Sequence, residues 1–188
     1  MNLLSLDLSV ASTGYSVFID NKIVECDRIV TEGTELSEKS KKHLDYTYFL
    51  ATKSEDDRIY FLSKVIDELT KKYNITDYCI EDQFIGKNAR TGLTLSKVKG
   101  AVIYVGKDNN VNIHHLKPTE VRKYLMNIGS ASKERVANYI RENYYDVGEF
   151  SDKYNKHKTD DKYDSLACGI ALLKKLKYLN QELTYDTN

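Results

Sequence analysis

Leu3-Leu4-Ser5-Leu6-Asp7-Leu8, continued by Ser9-Val10-Ala11-Ser12-Thr13-Gly14-Tyr15, is the stretch that decides how this chain folds. Side chains alternate along a strand, so Leu4, Leu6 and Leu8 share one face while Ser5 and Asp7 share the other. An apolar run of this density reads as a strand covered on both sides, at the centre of a sheet. A carboxylate in such a strand costs several kcal/mol unless a partner offsets it. Asp7 is therefore a buried ion-pair or turn-capping residue, or it belongs to a site. The turn that follows, rich in hydroxyls and backbone N–H groups, shifts the balance toward a site.

Outward from this strand, residues 14–19 read as a second strand and 22–30 as a third, joined by a hairpin turn at Asp20-Asn21. Residues 31–55 are polar, with Lys39, Lys41 and Lys42, and read as a loop insertion. The spacing of Ile59, Leu62, Val65, Ile66 and Leu69 predicts a helix over 56–73. A strand at 77–81, a polar loop over 82–92, a helix over about 93–105 and a strand at 111–116 follow. Pro118 suits the first turn of a short helix ending near Met126. Ser132 can cap a helix from Lys133 to about Tyr144. Residues 146–160 read as a second insertion, before a last helix over about 161–178 that Thr159 or Asp160 can cap. The order β-β-β-α-β-α-β-α-α-α implies one α/β domain over residues 1–188, a mixed five-stranded sheet with helices on both faces.

Three more carboxylates stand out. Glu81 ends the run Tyr78-Cys79-Ile80-Glu81, where strand gives way to loop, the place at which open α/β sheets gather ligands. Asp82 points to the opposite face. Asp161 and Asp164 are three apart at the start of the last helix, and so share a face. Each has an ordinary explanation: an exposed strand-end Glu, or acidic residues complementing a helix dipole. Together they have a mechanism, because several convergent carboxylates can hold two Mg²⁺ ions about 4 Å apart for in-line attack at a phosphodiester. Directly after Glu81, the stretch Phe84-Ile85-Gly86-Lys87-Asn88-Ala89-Arg90-Thr91-Gly92 combines an aromatic, an amide and two cations. That mixture suits base stacking and backbone contact as well as a loop whose Phe is tucked into the core. Arg122, Ser130 and Lys133 surround a capped helix start that can hold a phosphate, although the residues alone favour a plain capped helix. His43, His114, His115 and His157 lack zinc-type spacing and read as structural or solvated.

Bulk properties set the frame. The 188 residues carry 28 basic and 28 acidic side chains, which argues against a protein that simply coats nucleic acid but not against a local basic face. Cys26, Cys79 and Cys168 are far apart and read as reduced core thiols of a cytoplasmic protein. No apolar run approaches membrane-spanning length, and the N-terminus lacks a signal-peptide pattern. The wealth of Tyr, Asn and Lys points to an AT-rich genome, of a bacteriophage or a low-GC bacterium.

Four blocks in order then resemble the RuvC-type Holliday junction resolvases of the RNase H-like superfamily. They are Leu6-Asp7-Leu8 through Thr13-Gly14-Tyr15; Ile80-Glu81 through Phe84, Lys87, Asn88 and Ala89, with Lys97-Val98-Lys99-Gly100; Glu120-Val121-Arg122-Lys123 through Gly129-Ser130 to Lys133; and Asp161-Lys162-Tyr163-Asp164-Ser165-Leu166-Ala167. The Glu-x-x-Phe-x-x-Lys-Asn-Ala block is the most specific. The resemblance implies an RNase H-like fold and a catalytic, metal-binding set of Asp7, Glu81, Asp161 and Asp164. It implies two Mg²⁺ per site, which Mn²⁺ can replace. It places Phe84 at the junction centre and Arg122 and Lys133 near the scissile phosphate, with Lys87, Asn88, Arg90 and Ser130 as further DNA contacts. The expected protein is a homodimer that nicks two opposing strands of branched DNA, four-way junctions above all. Two alternatives are a nuclease for RNA or RNA–DNA hybrids and an inactive junction-binding protein. An actin-like or kinase-like ATPase would need a second half that 188 residues hardly supply.

Overall fold

β1 (Asn2–Asp7) lies inside the sheet, as its apolar density requires, with β2 (Ser12–Ile19) antiparallel on one side and β5 (Asp77–Glu81) parallel on the other. The computed structural model describes residues 1–33, 47–82, 89–144 and 160–176. β3 (Lys22–Glu32) pairs with β2 through a turn in which Asp20 and Asn21 both have positive φ, 49° and 65°, the type I′ geometry expected of a two-residue hairpin. β4 (Tyr48–Ala51) lies parallel to β3, and β6 (Asn112–Leu116) lies parallel to β5. The sheet order is β4-β3-β2-β1-β5-β6.

This is the expected mixed α/β sheet with one strand more than the sequence indicated. The sixth is β4, four residues within the polar stretch 31–55, too short to show an alternation of its own. It forms because the edge of β3, which runs on to Glu32, offers unpaired backbone groups over residues 29–32. Residues 34–46 and 145–159, which hold much of the two expected insertions, lie outside the described residues.

Two cores flank the sheet. On one face Leu4, Leu6, Leu8, Tyr15, Val17 and Ile29 pack against α1 (Glu55–Lys72) and α2 (Ala89–Asp108). Ser54 caps α1 by accepting from the Asp57 N–H at 3.1 Å. α2 starts four residues before the expected position. Gly92 stands inside it and is buried, and its carbonyl accepts from Ser96 Oγ at 2.8 Å. The helical penalty of one glycine, about 1 kcal/mol, is small beside the burial of Val98, Val102 and Val105.

On the other face Leu3, Phe18, Cys26 and Cys79 meet α3 (Pro118–Met126), α4 (Lys133–Asn143) and α5 (Asp160–Lys175). All three cysteines are buried there, with Cys79 Sγ and Cys168 Sγ 3.2 Å apart and unbridged. Pro118 opens α3, and Ser132 caps α4 by accepting from the Arg135 N–H at 3.2 Å, both as the sequence predicts. Among the described residues no helix is long and apolar enough to cross a membrane.

α5 lies unusually close to the strands. A β-carbon at Gly169 would stand 2.3 and 2.6 Å from the Phe18 ring and 3.0 Å from Ser5 Cβ. At Gly100, inside α2, nothing lies within 4 Å of that position. Gly169→Ala is therefore expected to destabilise the fold by roughly 1–3 kcal/mol through overpacking. Gly100→Ala should stabilise it by about 0.5–1 kcal/mol through helix propensity. Urea unfolding of both variants measures the difference; equal effects would contradict this packing.

Candidate metal centre

The site starts from two neighbouring strand ends. Leu6 stands opposite Ile80, so Asp7 and Glu81, one residue on, terminate adjacent parallel strands. Ser5 stands opposite Cys79, which puts both carboxylates on the face covered by α5. The turn after β1 is closed by Thr13 Oγ1 donating to the Ser9 carbonyl at 2.5 Å and accepting from the Ser9 N–H at 3.0 Å.

α5 brings the third carboxylate. Ser5 Oγ donates to the Ser165 carbonyl at 2.7 Å, and the Ser16 and Ser165 hydroxyls are 2.7 Å apart. Lys162 Nζ lies 3.2 Å from Asp27 Oδ1, while Asp27 Oδ2 accepts from both the N–H and the hydroxyl of Thr47 at 2.8 Å. These buried bonds fix the first turns of α5 over β1–β3, and Asp164 then faces Asp7 and Glu81.

A cavity of about 250 Å³ opens there. Asp7, Glu81, Asp164, Arg122 and Lys133 are its polar lining, and Pro118, Val121, Val136 and Ala167 its apolar wall. Lys133 Nζ bonds to Asp164 Oδ2 at 2.7 Å. The ammonium is held above its ordinary range by Asp164 first, then by Asp7 and Glu81, so one cation senses three carboxylates. Glu81 is pushed up to about 7 by burial and then by repulsion from Asp164, while Lys133 and Arg122 pull it back. The cavity is thus short of positive charge. Among the described residues no three carboxylate, thiol or imidazole groups form a ready-made chelate. The lining nevertheless fits a hard divalent cation: its donors are all carboxylate oxygens, and burial followed by repulsion from Asp164 disfavours the charged form of Glu81, which a bound cation would offset.

Asp161 is placed differently from its expected role in one shared pocket. It does not line the cavity. Its Oδ2 accepts from Ser12 Oγ at 2.5 Å, and its backbone sits against Gly14, where a β-carbon would be 1.9 Å from the Asp161 carbonyl oxygen. Burial raises its carboxyl above the usual range; the Ser12 hydrogen bond and buried Arg28 draw it back.

The DNA-contact expectations divide. Arg122 and Lys133 reach the cavity, whereas Ser130 is exposed in the turn before α4. Arg90 lines a separate hollow with Ser9, Glu55, Thr91 and Thr94. Phe84, Lys87 and Asn88 lie outside the described residues. Asp82 turns away, as expected, to Lys99 and to His115 Nδ1 at 3.3 Å; His114 Nε2 lies 2.8 Å from Asp77 Oδ1. A larger hollow of about 580 Å³ lies across the sheet between α1 and α2. Its Asp67 is satisfied by Lys71 and Asn109, and it meets no strand end, so size does not mark the site. Sequence reasoning missed Ser12 and Arg28, whose link to Asp161 spans more than 130 residues and leaves no local pattern.

Comparison with known proteins places the chain in a family. The family model described as crossover junction endodeoxyribonuclease RuvC matches residues 3–171. The chain belongs to the RuvC family. A RuvC from Finegoldia magna is 24% identical over 185 residues, covering 96% of this chain and 99% of that one. A RuvC from Chloroherpeton thalassium is 33% identical over 84 residues, 45% of each chain. The structure of Thermus thermophilus RuvC in complex with Holliday junction substrate superposes with a TM-score of 0.67 at 14% identity, covering 97% of this chain and 98% of that chain. That likeness shows the RuvC fold.

The raised carboxyl of this RuvC-family site has a consequence for stability. Between the ordinary Glu value of 4.5 and about 7, the folded protein holds a proton at Glu81 that the unfolded chain has lost. Metal-free stability should therefore fall as pH rises through this window, by on the order of 3 kcal/mol in full. Glu81→Gln removes that loss. Thermal melts in a chelator should show the variant more stable than wild type at pH 8 and close to it at pH 5; parallel curves would contradict the assignment.

Proposed function

We propose that this chain is a divalent-metal-dependent endonuclease that resolves four-way DNA junctions by paired symmetric nicks. The observation that carries the reading is the convergence of Asp7, Glu81 and Asp164 on one cavity that also presents Arg122 and Lys133. Two Mg²⁺ ions, replaceable by Mn²⁺, would be held by these carboxylates and Asp161, and when bound they supply the Lewis acidity that activates water and steadies the leaving 3′ oxygen.

The remaining work falls to side chains. Asp7 lies between Glu81 on β5 and Asp161 over β2, so it can serve both flanks of the site. Arg122 and Lys133 bring positive charge to the backbone phosphate and hold it against the carboxylates. Val121, Val136 and Ala167 exclude bulk water from one wall, which strengthens each of these interactions. Phe84, Lys87 and Asn88 follow Glu81 directly in the chain and are assigned to the junction strands, with Arg90 and Ser130 as outer contacts. Two opposed nicks on a two-fold-symmetric junction call for two copies of the chain. A phosphate-held complex should also weaken steeply with salt.

The test is a gel assay with synthetic four-way, flapped, duplex and RNA–DNA hybrid substrates. Wild type should nick the four-way junction at paired positions in Mg²⁺. Asp7→Asn should bind it comparably and cut at least a thousandfold more slowly, since the interaction lost belongs to the transition state. Preferential cutting of the hybrid, or full activity in Asp7→Asn, would overturn the proposal.

A further inference from the structure

The placement of Asp161 raises a question that the carboxylate set alone does not answer: what aims a carboxylate that stands beside the cavity instead of in it. In the sheet order β2-β1-β5, Asp7 and Gly14 are directly opposed, and so are Gly14 and Arg28. Directly opposed residues of antiparallel strands share a face, so Asp7, the gap at Gly14 and Arg28 form one row beneath the first turn of α5. The absent side chain at Gly14 lets the Asp161 backbone settle into that row. Asp161 therefore lies on the β2 flank of Asp7 and Glu81 on the β5 flank.

On that β2 flank, one described side chain donates a hydrogen bond directly to Asp161. Ser12, the first residue of β2, gives its hydroxyl to Oδ2. Ser12 is itself fixed, because the strand that carries it pairs at Ser12 with Val30 and the preceding turn is closed by the Ser9–Thr13 bonds. A hydroxyl that occupies one lone pair of a carboxylate fixes its plane and leaves the other oxygen for a ligand.

We infer that Ser12 is a positioning residue for the metal site, which orients Asp161 as the carboxylate of the second metal position on the β2 flank of Asp7. Buried Arg28, at the end of the same row, adds fixed positive charge beneath that carboxylate. The inference rests on the two-metal reading above and extends it to a residue outside the carboxylate set.

The test is Mn²⁺ binding to DNA-free protein, followed by electron paramagnetic resonance, for wild type, Ser12→Ala, Ser12→Thr, Asp161→Asn, the Ser12→Ala/Asp161→Asn double variant and Asp7→Asn. Wild type should show two classes of Mn²⁺. Ser12→Ala should weaken the weaker class by about tenfold, the lower end of what outer hydrogen bonds to metal ligands contribute. Ser12→Thr, which keeps the hydroxyl, should restore it. In the Asp161→Asn background Ser12→Ala should have no further effect. Unchanged or tighter binding in Ser12→Ala would overturn the assignment, the second because it would mean that the hydroxyl holds Asp161 away from the metal. An undiminished effect in the Asp161→Asn background would overturn it too. If Asp7→Asn binds Mn²⁺ as wild type does, the two-metal reading itself fails and Ser12 falls with it. If Asp7→Asn loses Mn²⁺ while Ser12→Ala matches wild type, only the Ser12 assignment fails.

Discussion

Everything in this site follows from how α5 is seated on the sheet. Ser5, Ser16 and Ser165 form a buried polar seam, and Lys162 is anchored on Asp27. Gly14 and Gly169 remove the two side chains that would hold the helix off. Buried polar groups are tolerated only when satisfied, and a satisfied network fixes one geometry where an apolar contact would accept several. Angular precision of that kind is what Asp164 needs, because it must meet carboxylates that arrive on two different strands.

The cost of the arrangement is electrostatic. Three carboxylates around one cavity repel, and the protein tempers this with Lys133 on Asp164 and a proton favoured on Glu81. Both compensations are removable. Lys133 is exposed over most of its side chain, at 70%, so it can leave Asp164 for a phosphate without dragging the fold with it. A cavity that is short of positive charge and walled on one side by apolar residues is prepared for cations and for a polyanion bridged to it by those cations.

Much of this was legible in the sequence, for identifiable reasons. Asp7 and Glu81 stood out because a charge within a two-residue period of leucines, or at the end of an apolar strand, is costly unless something offsets it. The hairpin, the Pro118 helix start and the Ser132 cap were readable because turn and cap chemistry is local. β4 was hidden because four residues carry too little pattern and its existence depends on the edge of β3. The early start of α2 was hidden because Gly92 mimics a loop residue, while its burial is a tertiary fact. The different placements of Asp161 and Asp164 were equally invisible: their spacing puts both on one face, but Ser12 and Gly14, nearly 150 positions away, hold Asp161, while Lys133 pairs with Asp164.

The most direct measurement is anomalous X-ray scattering from crystals of the wild-type protein soaked in Mn²⁺. The proposed two-metal site would give two peaks about 4 Å apart, one on each flank of Asp7, the first within ligand distance of Glu81 and Asp164 and the second within ligand distance of Asp161. Manganese bound elsewhere on the protein, with no peak at Asp7, would contradict it.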